Sequence, residues 1–545
     1  MISTDQSLTS KLLILFFLSY LVIIFLIFED YGISWDEPYR KIYGEDIIKY
    51  YASLFKDKSF LEKSINVKFG GLFDSLSALV NKFSPIGEYE TRHLLNALVG
   101  FGGVLFVYFF TNHLTGQKAI GFMAALFIVF SPRYFGHSFN NPKDIPFAVF
   151  YLSSIFAISK SIPFWKTGDL PTKTIWFLGL SLGCSLSIRM PGFILIGYLL
   201  VTFAIYQGIC LLRKESTFKK ICLSSNKNIL APCLISLGMF LVFWPYSYLF
   251  VTSPEKILVL FNEIRNFSWG YSVLFEGSHY KLQDLPWYYL LKWFYITTPL
   301  VIIVGAIMFL VSIYFSTRLK LSSDQNLLES REKLFSLALI LGSIFIPFVY
   351  SFFNKSILYE GVRHFLFFLP FLAIMAAWGY WNLAQLGFHF IAKSNLADSK
   401  ISKLKIVLFS TMCLSLYDPI RWTVASHPHQ YLYFSEIFGG ASNAYKLYDM
   451  DYYGNSLREA ALWVNKRVEP VIHGQKIIWS TNANPDQIKY YLDPKKYIYN
   501  SKEFDIFFEL ERWKGSIHGG QIYKVSLNEI PLNYVLVPDP LPKLQ

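Results

Sequence analysis

Long apolar runs separated by short polar segments occupy the first 424 residues of the chain. The first run, Leu12–Phe28, carries no charge and is long enough to cross a bilayer. Together with it, ten further runs predict about eleven membrane-spanning helices, and they lie at roughly 94–110, 119–131, 145–159, 175–188, 192–212, 229–250, 287–315, 334–353, 364–382 and 404–424. The predicted fold class is therefore a polytopic α-helical membrane protein.

Two stretches are too long to be simple connectors. Residues 29–91 place apolar side chains at helical spacing among charges, which predicts helices lying on the membrane surface. From about residue 425 the sequence is typical of a soluble domain. Ser456 followed by Glu459 reads as a capping box that opens a helix. Short β-prone runs follow at Lys476–Ser480, Tyr497–Tyr499, Ile522–Val525 and Tyr534–Pro538.

These patterns divide the chain into two predicted domains. Residues 1–424 form a transmembrane module whose first outer loop, 29–91, carries the interfacial helices. Residues 425–545 form a small α/β domain outside the membrane. Composition agrees with this division, because only 16% of the residues are charged, whereas soluble globular chains carry about 25%.

The net charge of +12 is assigned to membrane orientation, and we expect no nucleic-acid partner. Many of the Lys and Arg residues fall in the short segments 160–174, 212–228, 316–333 and 393–405. If these segments face the cytoplasm, the N-terminus is inside and the C-terminal domain is outside. The composition favours a bacterial inner membrane as the location.

Four polar clusters lie at or near the predicted outer face. They are Asp36-Glu37, the segment 131–146 with His137, Lys143 and Asp144, the segment 188–192 with Arg189, and the segment 359–364 with Arg363 and His364. A central Arg or Asp costs about 2.5–3.5 kcal/mol on insertion scales, so such charges are usually paired or functional. Three structural alternatives stay open: a snorkelling Arg189, a plain Lys143–Asp144 ion pair, and a solvated Asp36-Glu37 pair.

The order of these motifs resembles the GT-C superfamily of membrane glycosyltransferases, in its family 39-like branch. That branch includes the protein O-mannosyltransferases and the lipid A aminoarabinose transferase. The motifs that carry the resemblance are Trp35-Asp36-Glu37 after the first span, Asp144-Ile145-Pro146 at the fourth, Arg189-Met190-Pro191-Gly192 between the fifth and sixth, Pro286–Tyr289, and the segment 429–454 with His429–Phe434, Gly439-Gly440 and Asp451–Gly454.

The resemblance implies a transferase that moves a hexose from a polyprenyl-phosphate donor to a lipid, protein or glycan acceptor, with inversion. Asp36 is the expected general base, with Glu37 as the second choice. Asp144 is expected to orient the acceptor or to support the base. Arg189 is the first choice to bind the donor phosphate, because its guanidinium stays charged in an apolar site. Arg363 and Lys143 follow in that order.

No cofactor is demanded by the sequence, although a divalent metal ion can be held by oxygen and imidazole ligands. Asp36, Glu37, Asp144 and His279 are the residues that can supply such ligands. His279, His364 and His137 are predicted to contact either the substrate or such a metal ion.

Two other functions remain open: a transporter or lipid flippase, and a polysaccharide polymerase or ligase. Transporters usually show internal repeats, and none is visible in this sequence. Polymerases usually lack an acidic pair directly after the first span.

Overall fold

A computed structural model of the chain describes residues 6–58, 61, 65–265, 270, 272–319, 330–354, 356–393, 410–412, 414–468, 476–515 and 519–538. Its helices up to residue 243 are α1 (Gln6–Ile27), α2 (Glu37–Ala52), α3 (Leu72–Asn81), α4 (Glu88–Thr115), α5 (Lys118–Val129), α6 (Pro132–Asn140), α7 (Asp144–Ser161), α8 (Thr172–Leu186), α9 (Phe193–Leu212), α10 (Phe218–Ser225) and α11 (Ala231–Phe243). The later helices are α12 (Tyr248–Thr252), α13 (Glu255–Arg265), α14 (Tyr289–Thr297), α15 (Leu300–Leu319), α16 (Arg331–Phe353), α17 (Phe368–Lys393), α18 (Tyr417–Ala425), α19 (Gly440–Ala444), α20 (Leu457–Arg467) and α21 (Asp486–Lys489).

The helical part of the chain has the length and apolarity of a membrane protein. Among the described residues, six helices can each cross a bilayer: 10–30, 88–115, 144–164, 190–212, 218–243 and 331–353. Two bent pairs, α5 with α6 and α14 with α15, raise the number to eight if each pair is one span. An integral membrane protein is therefore confirmed. The prediction of about eleven spans stays a prediction, since its last span, 404–424, begins outside the described residues.

The spans pack around α7, which is buried over most of its length. Its side chains contact α4, α8 and α9 on one side and α16 and α17 on the other. A helix that is apolar all round suits such a central position, because every face meets protein. The first residue of α7 is Asp144, so the centre of the bundle presents a carboxylate at one end.

The first loop, residues 29–91, contains two of the helices that its periodicity predicts. Helix α2 buries Tyr43, Ile47 and Tyr50 against the loop itself, and α3 packs against both α2 and α4. Exposed Leu76 and Leu79 lie on α3, which gives this helix an apolar outer stripe. Contact of that stripe with a membrane surface stays a prediction.

The C-terminal part of the chain contains a mixed five-stranded sheet. The strands are β3 (Ile477–Thr481), β4 (Tyr497–Tyr499), β5 (Ile506–Leu510), β6 (Gly519–Leu527) and β7 (Ile530–Pro538), after a hairpin of β1 (Val273–Phe275) and β2 (Ser278–Tyr280) that precedes α14. The order across the sheet is β4-β3-β5-β7-β6, with β4, β3 and β5 parallel and β7 antiparallel to both of its neighbours. Helix α20 covers the sheet with an apolar face.

Four of these strands correspond to the predicted β-prone runs, and β5 is the strand that the sequence pattern missed. All five residues of β5 are buried, because this strand lies in the middle of the sheet. Its run Ile-Phe-Phe-Glu-Leu has no polar alternation, and alternation is the signal that identifies a half-buried strand.

The capping box predicted at Ser456 is wrong in its contacts, although the helix does begin there. The Ser456 hydroxyl donates to the carboxylate of Asp451 instead of accepting from its own helix. The carboxylate of Glu459 accepts a hydrogen bond from Tyr523 at 3.1 Å. A buried acceptor elsewhere in the fold has therefore replaced the local cap.

Candidate active site

The acidic pair lies in the loop between α1 and α2, and its two carboxylates have different surroundings. Glu37 is 1% exposed, accepts a hydrogen bond from Ser34 N at 2.7 Å and lies 3.2 Å from Nε2 of His93 on α4. The Asp36 side chain keeps 38% of its surface exposed, and its Oδ2 accepts a hydrogen bond from Arg363 Nη2 at 2.8 Å. Glu37 therefore fixes the loop, while Asp36 stays accessible to a substrate.

Arg363 joins this loop to the start of α7. Its guanidinium is 4% exposed; Nη2 reaches Asp36, Nε lies 3.5 Å from Oδ2 of Asp144, and Nη1 donates to Glu360. Glu360 and Gly361 both have left-handed backbone conformations, with φ of 57° and 68°. They fold the segment before α17 back, so that Glu360 meets the residue three positions later. The left-handed conformation of this glutamate costs roughly 1–2 kcal/mol.

Asp144 is oriented by the loop that precedes it. Asn141 Nδ2 donates to its Oδ2 at 3.1 Å, and the Asp144 backbone amide donates to Asn141 Oδ1 at 3.0 Å. Arg189, whose side chain is 14% exposed, donates to Oδ1. Arg189 and Arg363 thus contact opposite oxygens of one carboxylate.

We name the group formed by Asp36, Asp144, Arg189 and Arg363 the open cluster. Its members come from four separate polar segments of the sequence, and the structure brings all four together at one end of the helical bundle. The arrangement holds two carboxylates and two guanidiniums, and its exposed edge is the carboxylate of Asp36.

The pKa of Asp36 reflects competing influences. Burial raises it, but the charges of Arg363 and Lys143 outweigh burial and hold the pKa below its ordinary value. The carboxylate is therefore ionised at neutral pH and can accept a proton.

Lys143 lies beside the open cluster without joining an ion pair among the described residues. Its Nζ is 3.6 Å from the centre of the Phe69 ring. Burial, followed by the charges of Arg189 and Arg40, lowers the pKa of Lys143 to about 7. Because Lys143 forms no ion pair within the described part of the chain, a bound anion would be its first directly contacting counter-charge.

The three predicted histidines differ in position. The His364 ring packs edge-on against Tyr359 at 4.6 Å, and burial together with nearby guanidiniums holds its pKa well below the usual range. His137 is fully buried, with Nε2 3.0 Å from the Tyr452 hydroxyl and Nδ1 3.3 Å from Asn141 Nδ2. His137 therefore orients the loop that holds Asp144, and neither of its ring nitrogens is free for a substrate.

His279 lies on β2, is exposed, and pairs with Ser272 at 3.2 Å. Of the four residues predicted to supply metal ligands, only Asp36 and Asp144 share a neighbour, and that neighbour is a guanidinium. Within the described part of the chain, no group of three or more His, Cys, Asp or Glu side chains can hold a metal ion. The residues present do not fit the four-ligand metal site.

A second ion-pair group lies below the open cluster, and we name it the closed cluster. Asp74 on α3 contacts Arg40 of α2 and Nη2 of Arg92 on α4, the latter at 2.9 Å. Arg40 Nη2 also donates to Gly70 O at 2.9 Å, and Gly70 N donates to Ile188 O at 3.2 Å. The closed cluster thereby holds the first loop against Ile188, the residue before Arg189.

The sequence pattern did not identify Asn141, Glu360 or the closed cluster. Asn141 lies in the polar segment 131–146, and an Asn three residues before an Asp that opens a helix is a usable signal for an orienting residue. Glu360 has a signal as well, because a glutamate that is followed directly by glycine and, three positions later, by arginine favours a local turn with an ion pair. Asp74 has no such signal in the sequence, since a single acidic residue in an amphipathic helix is usually exposed to solvent.

Residues 67–302 match the protein family described as dolichyl-phosphate-mannose-protein mannosyltransferase. The matched segment contains Lys143, Asp144, Arg189 and His279, and it ends before Arg363. No curated protein matches the chain.

The solved structures that are similar to the chain include two with a bound lipid phosphate. ArnT from Cupriavidus metallidurans bound to undecaprenyl phosphate is 12% identical, covers 96% of this chain and 98% of its own, and has a TM-score of 0.49. The archaeal oligosaccharyltransferase AglB from Archaeoglobus fulgidus, in complex with an inhibitory peptide and a dolichol-phosphate, is also 12% identical, over 91% of this chain and 69% of its own, with a TM-score of 0.49.

The family match confirms the resemblance to protein O-mannosyltransferases that the sequence motifs indicate. Over residues 67–302, the chain is similar to the dolichyl-phosphate-mannose-protein mannosyltransferase family.

Proposed function

We propose that the protein is a glycosyltransferase that moves a sugar from a polyprenyl-phosphate donor to an acceptor, with Asp36 as general base. The acceptor is a lipid, a protein or a glycan. The site end of the bundle and the C-terminal domain, residues 425–545, face the outside of the membrane. We assign the protein to a bacterial inner membrane.

The observation that carries this proposal is the open cluster itself. Asp36 combines an exposed carboxylate with a depressed pKa, next to Arg189 and Lys143 at the end of membrane-spanning helices. A base facing solvent beside cations at the membrane edge suits a reaction in which an aqueous acceptor meets a lipid-linked donor.

The reaction follows as a single displacement. Asp36 takes the proton of the acceptor hydroxyl or amine, and the acceptor atom attacks the anomeric carbon of the sugar. The phosphate leaves from the face of that carbon opposite the attack, so the configuration inverts. The electron pair of the broken carbon–oxygen bond stays on the phosphate, whose charge changes from −1 in the donor diester to −2 in the leaving group.

The leaving phosphate needs fixed positive charge nearby. The three cations of the site differ in how far carboxylates already pair with them. Arg189 uses one nitrogen on Asp144 and stays partly exposed, so it can bind phosphate oxygens as well. Lys143 has no carboxylate partner in the described chain, and an arriving phosphate raises its pKa toward the ordinary value. Arg363 is committed to three carboxylates, and its role is to orient Asp36 and Asp144.

The donor's lipid chain has a matching surface beside Arg189. An apolar crevice of about 220 Å³ opens between α8, α9, α11 and α13. Its lining includes Leu186 and Phe193, which flank Arg189 in the chain. A phosphate on Arg189 would therefore have an apolar path for the first units of its prenyl chain.

The test is donor turnover by purified protein in nanodiscs. A panel of polyprenyl-phosphate sugars is supplied with membrane extract as the acceptor source, and release of free polyprenyl phosphate is measured. We expect release by the wild type and by Asp46→Asn, a matched carboxylate change on α2, but not by Asp36→Asn. Release measured with and without a chelator tests the divalent metal ion that the sequence leaves open.

Release that is unaffected by Asp36→Asn would overturn the assignment of the base. Absence of turnover and of donor binding for every sugar, with all acceptor extracts, would overturn the transferase. Movement of an intact lipid-linked sugar across the membrane would then indicate a transporter or flippase, and glycan lengthening would indicate a polymerase.

A further inference from the structure

An arginine of the C-terminal sheet reaches the open cluster through Glu360. Arg512 lies in the turn that follows β5 and is 4% exposed. Its Nη1 donates to Glu360 Oε1 at 3.2 Å, and its Nη2 donates to Asp449 Oδ2 at 3.4 Å. Glu360 also accepts from Arg363 through its other oxygen. One carboxylate therefore bridges two guanidiniums, one from the sheet and one from the membrane module.

The bridge continues to the proposed base. Arg363 contacts Asp36 and Asp144, so an unbroken line of ion pairs runs from Arg512 through Glu360 and Arg363 to Asp36. The same stretch of sheet also touches the loop of Asp36. Trp513 packs edge-on against Trp35, with ring centres 5.1 Å apart.

The backbone of the acidic loop is held by the C-terminal part of the chain as well. Asn484 Nδ2 donates to Trp35 O at 3.3 Å, and Gln487 Nε2 donates to Ile33 O at 2.6 Å. Trp35 N donates to Tyr453 O at 3.0 Å. The C-terminal part of the chain thus positions both partners of the Asp36–Arg363 pair.

Charge arithmetic explains why Arg512 matters. Glu360 is buried beside Arg363, and burial holds its pKa above the ordinary value although the charges of Arg363 and Arg512 lower it. Without Arg512, Glu360 would have one guanidinium left to neutralise it. A buried charge left without a partner is strongly destabilising, so Glu360 would have to keep its contact with Arg363. Arg363 would then turn toward Glu360 and away from Asp36.

We infer that Arg512 is a positioning residue of the active site: by neutralising Glu360 it leaves Arg363 free to orient Asp36 and Asp144. The C-terminal sheet is therefore a structural part of the catalytic centre. The inference rests on the proposed function for its meaning in catalysis, whereas the coupling between Arg512 and Asp36 is a property of the protein alone.

The coupling is measured through the ionisation of Asp36. The charged and titratable groups facing Asp36 are Arg363, Lys143, Asp144, Glu360, Tyr39, Tyr359 and Tyr453. A water-soluble carbodiimide with an amine labels a protonated, accessible carboxyl, and mass spectrometry of the peptide gives the extent at each pH. The Asp144 side chain, at 2% exposure, is the internal control for accessibility.

Arg512→Met keeps the apolar stem of the side chain and removes its charge. We expect the pH midpoint of Asp36 labelling to rise by about one unit, the lower end of what an opposite charge contributes. Arg512→Lys should keep most of the wild-type midpoint. Arg458→Met on α20 is the matched control, because Arg458 forms no ion pair among the described residues, and we expect it to leave the midpoint unchanged.

The decisive variant is the double change Glu360→Gln with Arg512→Met. With no charge at position 360, nothing competes for Arg363, and the midpoint should equal that of Glu360→Gln alone, at or below the wild-type value. If Arg512 only docks the sheet, the double variant would stay shifted, and the inference would be wrong. An unshifted midpoint in Arg512→Met, with thermal unfolding intact, overturns it equally.

Should Arg512→Met fail to fold, the double variant, which removes both buried charges together, is compared with Glu360→Gln alone, whose midpoint should lie below that of the wild type because a neighbouring negative charge is gone. Equal midpoints support the coupling, and a higher midpoint in the double variant overturns it. Donor turnover is measured on the same samples, where Arg512→Met should lose at least about fivefold in rate, as expected within one charge network. Labelling that shifts as stated in a protein without transferase activity would sustain the coupling and refute the proposed function. The two failures are therefore distinguishable.

Discussion

The open and closed clusters are built from the same groups and lie next to each other, yet they differ in access to solvent. Arg40, Asp74 and Arg92 of the closed cluster are 3%, 0% and 0% exposed. In the open cluster, Asp36 and Arg189 keep 38% and 14% of their side chains exposed. Every charge of the closed cluster faces protein, whereas the open cluster ends in a carboxylate that faces outward.

The difference in exposure indicates a structural role for the closed cluster and a catalytic role for the open cluster. A fully enclosed carboxylate between two guanidiniums has no room for a ligand, and its effect is to join α2, α3 and α4. Solvent weakens the partly exposed ion pair between Asp36 and Arg363, but it leaves a carboxylate oxygen of Asp36 accessible to a substrate. The comparison predicts that changes in the open cluster affect catalysis, and that changes in the closed cluster affect folding.

Asp36→Asn is expected to have the largest effect. Asparagine keeps the size of the side chain but cannot take the acceptor proton, so transfer should fall by about 10²–10⁴, the usual contribution of a positioned general base. Thermal unfolding in detergent should change little, because the side chain is already half-exposed. A variant that loses stability together with activity would place Asp36 with the structural group and break the comparison.

Asp74→Asn tests the opposite half. It leaves two buried guanidiniums without a counter-charge, and breaking such a pair costs about 3–5 kcal/mol. The expected result is a large drop in the thermal unfolding midpoint, with the activity per folded molecule nearly unchanged at low temperature. Full stability with impaired turnover would show that the closed cluster takes part in catalysis.

The extent to which these clusters were predictable from the sequence depends on their surroundings. Asp144 and Arg189 interrupt apolar runs, where a charge is costly and therefore conspicuous. Asp74 lies in a short amphipathic helix, and nothing local shows that its polar face is covered by α2 and α4. The helical membrane architecture was predictable for the same reason, since long apolar runs have few alternatives.

Contacts between distant segments were not predictable. Arg512 and Glu360 are separated by 152 positions, and no periodicity relates them. The difference between Glu37 and Asp36 was equally hidden, because it follows from the placement of His93 on α4. Adjacent carboxylates look equivalent in a sequence, and only their neighbours in space distinguish them.

Lys143 gives a smaller and pH-dependent effect. Its pKa of about 7 lies below the ordinary value, so the ammonium is charged below pH 7 and neutral above it. The donor phosphodiester does not titrate in this range. Its affinity should therefore fall by about tenfold between pH 6 and 8.5, the value of one charge-assisted contact.

Lys143→Arg keeps the charge at all these pH values, and its donor affinity should be independent of pH. Equilibrium binding of a non-hydrolysable donor analogue is the measurement, because it separates binding from the ionisation of Asp36. Equal pH slopes for the two proteins would exclude Lys143 from the phosphate site and leave Arg189 as its main cation.

Glu37→Gln should have the smallest effect and sharpens the contrast inside the acidic pair. Glutamine can still accept the hydrogen bond from Ser34 N, and only the charge facing His93 is lost. We expect the rate of transfer to fall by about two- to fivefold, the value of about one net hydrogen bond, with a modest loss of thermal stability. Single-turnover rates at saturating donor provide the measurement. A loss as large as that of Asp36→Asn would mean that Glu37 can reach the acceptor, and the loop would then have to adopt a second conformation in which the His93 contact is broken.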